Sequence, residues 1–442
     1  MQVEERVKGE LILLLACSWL FFPFMLKPLW PSVVVGSFLA ILVAVVYVNR
    51  RSIGLGCISV PANHIPDALL YFLYFLGLAA ATLIAQDGDG VAAMFVIISR
   101  IVFFVLVLCL INEKTVIASL DLYASIVAAL SFLAVAAMLY RYFGGTALVD
   151  ARLNSLNIQV YFGAYYRAGG GYICPGWFPI QGLVEEPGTW AFCLLPALLW
   201  AQLARRNPLV VGLIGLNLIL TGSFGVALFI FGVAILLNKQ ANCSYDHKND
   251  LRVLVLIAVA IVFVLVFGTV CHSTWFTSGI ASGAISTSGM TLGGKALSLW
   301  DRIEEMKKVL GYLSSNPWGA GAGIGMGVIG TALSSGFVST LADAGVIGGA
   351  AYLLFYALLL YRVNKLLWTT QMDQNKTLQV LSLSVLALIF MGMQRGKSDA
   401  SMFHVWLLAL FFFHANRSVA KNPSWPGFEK STQFWCKEWD RR

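Results

Sequence analysis

About twelve apolar stretches, each near the roughly 20 residues that a bilayer's hydrocarbon layer demands, recur along this chain and leave it few ways to fold. They lie near 11–26, 32–49, 66–86, 91–111, 122–142, 187–204, 209–221, 224–238, 253–270, 338–361, 378–394 and 401–415. Of 442 residues 59% are hydrophobic and only 12% charged, against about a quarter charged in a soluble domain. In hydrocarbon every backbone polar group must be satisfied within the protein, and these runs are continuous rather than alternating. An all-α polytopic membrane protein is therefore expected, a single transmembrane domain over residues 1–442. The run from about Leu11 to Met25 has no small-residue cleavage site after it, so the first helix is expected to be retained. The pair 209–221 and 224–238 is short, and its junction Thr221-Gly222-Ser223-Phe224-Gly225 reads as a tight outer turn or a break within the membrane.

Lysine and arginine placement sets the orientation. With the amino terminus inside, the inner segments hold Arg6, Lys8, Arg50, Arg51, Lys114, Arg205, Arg206, Lys239, Lys248, Arg252, Arg362, Lys365 and Lys376, with a basic tail over 416–442. Both long polar loops, about 143–186 and 271–337, then fall on the extracytoplasmic side. The net charge of +8 is explained by helix ends and a tail facing anionic lipid, with no need of nucleic acid. Eight cysteines show no C-x-x-C or Cys/His metal spacing. Cys174 and Cys271 fall outside together, where an oxidising compartment would let them pair.

The second long loop contains a stretch from Asp301 to Leu313 in which Ile303, Met306, Leu310 and Leu313 recur three or four residues apart. That spacing predicts a helix lying on an apolar support, with Glu304, Glu305, Lys307 and Lys308 elsewhere around it. Pro317 bars continuation, and Gly319, Gly321 and Gly323 allow backbone to approach a ligand or another helix without a Cβ between.

In the first outer loop, Gly182-Leu183-Val184-Glu185-Glu186-Pro187-Gly188-Thr189-Trp190-Ala191 opens the next span. Pro187 at a first helical position behind acidic residues is what a helix amino terminus favours. Two carboxylates exceed what capping needs, so Glu185 or Glu186 is also a candidate to orient an arginine or take a proton from a substrate hydroxyl. Arg152, Arg167, Arg302 and Arg395 come from three separate outer segments. Single surface arginines commonly snorkel to headgroups, yet guanidinium forks also suit phosphate oxygens, and a shared lipid-linked pyrophosphate would account for all four. Arg100 falls near the middle of a span, where a charge needs a partner or a wet cavity; Asp343 is one candidate partner.

Other matches are decoys. Gly289-x-x-x-x-Gly294-Lys295 is followed by Ala296, where a phosphate-binding loop needs Ser or Thr. Asp87-Gly88-Asp89-Gly90 makes a turn as readily as a metal site. His272 and His404, near span ends, read as structural.

An outer arginine, Glu-Pro-Gly at the head of a span, Leu220-Thr221-Gly222-Ser223-Phe224-Gly225, Arg302 followed by Pro317-Trp318-Gly319-Ala320-Gly321, and Leu341-Ala342-Asp343-Ala344-Gly345-Val346-Ile347-Gly348, in that order, resemble the Wzy-type polysaccharide polymerase and O-antigen ligase superfamily. The resemblance covers most of 150–350. It implies a GT-C type fold and a metal-independent glycosyltransferase using no cofactor. Its partners would be undecaprenyl-pyrophosphate-linked glycans, membrane lipid and a chain-length regulator. By the same resemblance Arg167 or Arg152, with Arg302, would grip the pyrophosphate, while Arg395, Gly319 and Gly321 would line the site. Arg152 to Gly163 fits the Arg-x10-Gly pattern described for polymerases of this group; Arg302 does not, because Leu313 stands at that spacing. Ligases of the group carry a His before the span 338–361, where this chain has Ser334-Ser335-Gly336. The polymerase is therefore expected over the ligase. A flippase or secondary transporter is the alternative from another class, although no internal repeat is evident.

Overall fold

In a computed structural model, the structure describes residues 65–85, 113–153, 156–161, 164–168, 187–205, 207–221, 305–321, 336–367, 376–394 and 402–420, with single positions at 100, 101, 104, 107, 180, 182 and 329. These residues are mostly helical. The helices are α1 (Ile65–Ala85), α2 (Glu113–Tyr142), α3 (Pro187–Leu199), α4 (Pro208–Leu220), α5 (Gly336–Leu367), α6 (Lys376–Gln394) and α7 (Met402–Ala420). Each overlaps an expected span; α2 begins nine residues before its span. The spans near 11–26, 32–49, 224–238 and 253–270 lie outside the described residues. Two helices, α2 and α5 over Gly336–Asn364, are long and apolar enough to cross a membrane.

Contacts divide the chain into two compact units. The described residues of the first fall within Gly36–Ser119 and Arg302–Arg442, those of the second within Leu120–Asp301.

In the first unit α1 and α5 pack antiparallel. Tyr71 meets Phe355 and Tyr74 meets Tyr352, each at 4.8 Å between ring centroids, and Gly77 meets Gly348. A Cβ at Gly77 would stand 2.6 Å from the Gly348 Cα, so glycine is what lets the two backbones touch. The same helix exposes Leu69, Phe72, Leu76, Leu83 and Ile84 while burying Tyr71, Tyr74 and Thr82. Phe75, Leu78 and Ala81 are buried with them, so α1 is apolar on both faces and carries its hydroxyls inward. Helix α5 also packs on α6, and α6 on α7. From His404 to Ala415 nearly every side chain of α7 is buried, the state of a helix apolar all round.

In the second unit the sequence offers helix breakers, and neighbours absorb them. Pro196 interrupts α3, and one carbonyl beside it, that of Cys193, accepts the buried Tyr123 hydroxyl of α2 at 2.6 Å. A π turn follows over Trp200–Arg205. The Asp121 carboxylate accepts Trp200 Nε1 at 2.8 Å and Arg205 Nε at 2.6 Å, and pairs with the second guanidinium nitrogen as well. That hydrogen bond holds the Arg205 pKa above its ordinary value. In the middle of the unit, Asn217 of α4 donates through Nδ2 to the Ser131 carbonyl of α2 at 2.9 Å, a polar tie between two apolar helices.

The first long polar loop holds an antiparallel sheet of β1 (Val149–Leu153), β2 (Leu156–Tyr161) and β3 (Ala164–Ala168), in that spatial order. It was not foreseen, and its signal is the period-two alternation over 149–160. The end of its central strand meets the end of α2, where Arg141 lies 5.8 Å from the Tyr161 ring centroid.

Replacing Gly348 by Val should destabilise the protein by about 1–3 kcal/mol through overpacking against α1. Gly212→Ala and Gly215→Ala, where a Cβ meets nothing within 4 Å, should be neutral or stabilising by about 0.5 kcal/mol; detergent melting temperatures of the three variants check both. Asp121→Asn should cost only about 0.5–1 kcal/mol by the same measurement, because the pair is 49% and 39% exposed.

Candidate functional site

The best-defined geometry lies where the second long polar loop returns to α5. Helical residues 305–315 end before Pro317, as the proline requires. Val309 and Leu313 are buried against Val338 and Ala342, so this helix does lie on an apolar support. Its stripe is rotated from the one the spacing predicted. Leu310 is 54% exposed, and Val309 and Glu305 take the inner positions. The support lies on one flank of the predicted stripe, where Val309 fills the contact that Leu310 was expected to make.

After the proline the chain is threaded onto a break in α5. Gly345 has φ 71° and ψ −170°, a conformation open to glycine alone, and it interrupts the helix. The Val346 amide, which would ordinarily donate to the Ala342 carbonyl, donates instead to the Pro317 carbonyl at 2.9 Å. The freed Ala342 carbonyl accepts the Ala320 amide at 2.9 Å, and the Asp343 carbonyl accepts the Gly321 amide at 3.0 Å. Gly319 and Gly321 have φ of 89° and 91°. A Cβ on Gly319 would collide with the Gly345 amide, and one on Gly345 with the Trp318 carbonyl group. The glycines at 319 and 345 thus serve a backbone-to-backbone approach, one of the two uses expected of the Gly-x-Gly run. Asp343, its carbonyl engaged, is itself buried at 5% exposure.

A second junction forms in the other unit. Pro187 is the first residue of α3, as expected. Gly182, at φ 56°, passes against the buried Trp190 ring, which a Cβ would strike at 2.5 Å. The Ile180 amide donates to the Leu220 carbonyl at the end of α4 at 3.0 Å. Ile180 is therefore joined to the end of α4, and the Pro-Trp-Gly-Ala-Gly segment to the Leu-Ala-Asp-Ala-Gly segment. Glu185 and Glu186 lie outside the described residues, as do Arg302, Arg395, Cys174, Cys271, His272, Asp87–Gly90 and Gly289–Lys295.

Arg152 and Arg167 are placed in β1 and β3. Arg152 stands opposite Asn157, and Arg167 opposite Ile158. Neighbouring positions of β2 belong to opposite faces, so the two arginine positions are on opposite faces of the sheet. The Arg152 face shares Asp150, Asn157 and Gln159; the Arg167 face is otherwise Val149, Ala151, Leu153, Leu156, Ile158, Val160 and Tyr165. For a single anion they are alternatives rather than partners.

Arg100 is helical, and His404 in α7 is buried. His404 reads as structural, and its burial agrees with that. Glu305 was also missed, because the three-to-four spacing of apolar residues assigned it to the outer side.

No protein-family model matches the chain, and no curated protein of known function matches it.

Amide exchange at Ala320, Gly321 and Val346 should be strongly retarded in the parent protein. In Gly345→Ala, which must pay about 1–3 kcal/mol of backbone strain, the same three amides should lose protection together.

Proposed function

We propose that this chain is a glycosyltransferase of the bacterial inner membrane, with both termini cytoplasmic, that polymerises lipid-pyrophosphate-linked oligosaccharide repeats into O-antigen or a related capsular or exopolysaccharide on the outer face. What carries the reading is the pairing of segments. Two of the stretches that resemble the Wzy-type superfamily, Pro317–Gly321 and Leu341–Gly348, join through backbone hydrogen bonds. In this reading Arg302 and one of Arg152 and Arg167 neutralise the diphosphate as it leaves. The acceptor sugar of a second lipid-linked repeat attacks the anomeric carbon. Lipid tails stay in the outer leaflet beside the spans.

The transporter alternative has one observation in its favour, the broken span α5, since transporters build binding sites at such breaks. Here the groups freed by the break are taken up by the 317–321 loop instead of facing a cavity. The ligase alternative differs only in acceptor.

Purified chain given labelled repeat-unit lipid should produce a glycan ladder still attached to lipid pyrophosphate, unaffected by chelator. Glycan moved to lipid A core would identify a ligase, and vesicle translocation without bond formation a transporter. Arg302→Ala should cut the rate about 100-fold or more. Of Arg152→Ala and Arg167→Ala, only one should match it; equal, full losses in both would contradict the sheet register.

A further inference from the structure

We infer that Glu305 is the proton acceptor of this transfer, in preference to Glu185 and Glu186; the assignment rests on the polymerase reading. A helix lying on a protein surface ordinarily turns its carboxylates to water and its leucines inward. Here Leu310 is 54% exposed, Lys307 and Lys308 are exposed, and Glu305, at 9%, shares the inner stripe with Val309 and Leu313. Burying a carboxylate costs free energy, and the sequence places an alternative acid, Glu304, one position away.

Position along the helix adds to this. Val309 and Leu313 pack with Val338 and Ala342, and the loop that follows binds residues 342–346. The 305–315 helix therefore runs alongside the first half of α5 in the same direction. One turn before Val309, Glu305 is level with the amino-terminal end of α5, whose first turn holds no acidic residue. That end of a helix favours an anion.

The step balances without a co-reactant. The acceptor hydroxyl gives its proton to the Glu305 carboxylate while its oxygen bonds to the anomeric carbon. The bond from that carbon to the diphosphate oxygen breaks, its electron pair leaving with the lipid pyrophosphate. The protonated Glu305 then returns its proton to water.

The test uses the full chain in nanodiscs with a lipid-diphosphate-linked repeat as substrate, comparing the parent with Glu305→Gln, Glu305→Asp and the exposed control Lys308→Gln. Glutamine keeps the shape and most hydrogen bonding but not the basicity. Glu305→Gln should lower the maximal rate about 100-fold or more, leave KM and melting temperature near the parent's, and abolish the acid limb of the pH–rate profile. Glu305→Asp should recover part of the rate and that limb, and Lys308→Gln should match the parent. A rate for Glu305→Gln close to the parent's overturns the assignment. A lost rate that comes with lost thermal stability and an unchanged pH profile in the residual activity also overturns it, in favour of a structural role. Polymer from the parent and Glu305→Gln alike removes Glu305 and leaves the polymerase standing; no polymer from the parent removes both.

Discussion

Helix α5 gives up its own hydrogen-bond ladder at Gly345, and the neighbouring geometry follows from how the vacated groups are re-satisfied. A backbone amide or carbonyl left unpaired in a low-dielectric interior costs several kcal/mol. The break is therefore tolerable only where other backbone comes close enough to replace the lost partners. Residues 317–321 do so by an exchange: Pro317 accepts what Val346 can no longer donate along the helix, and Ala320 and Gly321 supply the carbonyls left behind. The glycines at 319 and 345 are the condition for this approach, because any Cβ at either would occupy the space of the opposing backbone.

This exchange couples a long polar loop to a membrane-length helix. The 305–315 helix rests on Val338 and Ala342 immediately before the break, so its orientation is set by the same contact. Which of its residues face inward is thereby decided, Glu305 among them. The other unit uses the same economy with different parts: the Tyr123 hydroxyl beside Pro196, the Asn217 amide on the Ser131 carbonyl, and the Asp121 carboxylate on the π turn. In each case a side chain from a neighbouring helix meets a backbone group or an interrupted stretch of helix.

Much of this architecture could be read from residue order. The described helices fall on apolar runs chosen by length alone, Pro187 begins a helix, Pro317 ends one, and the Gly-x-Gly run marks a close backbone approach. These were legible because each depends on local chemistry, whether hydrophobic length, a missing amide hydrogen or a missing Cβ. The sheet is signalled only by the alternation in Val149–Val160, and as residues of one polar loop Arg152 and Arg167 read as equivalent. Their separation to opposite faces is a matter of strand register, which spacing within one strand cannot express.

Sequence by itself determined that this chain is built of long apolar helices with two polar loops, because burying or solvating a side chain is a property of that side chain. Tertiary structure alone decided which loop closes which helix break and which side of the 305–315 helix is inside. Those outcomes depend on the distance between groups far apart in the chain, and distance is set only when helices such as α1 and α5 find the single crossing at which Gly77 and Gly348 can touch.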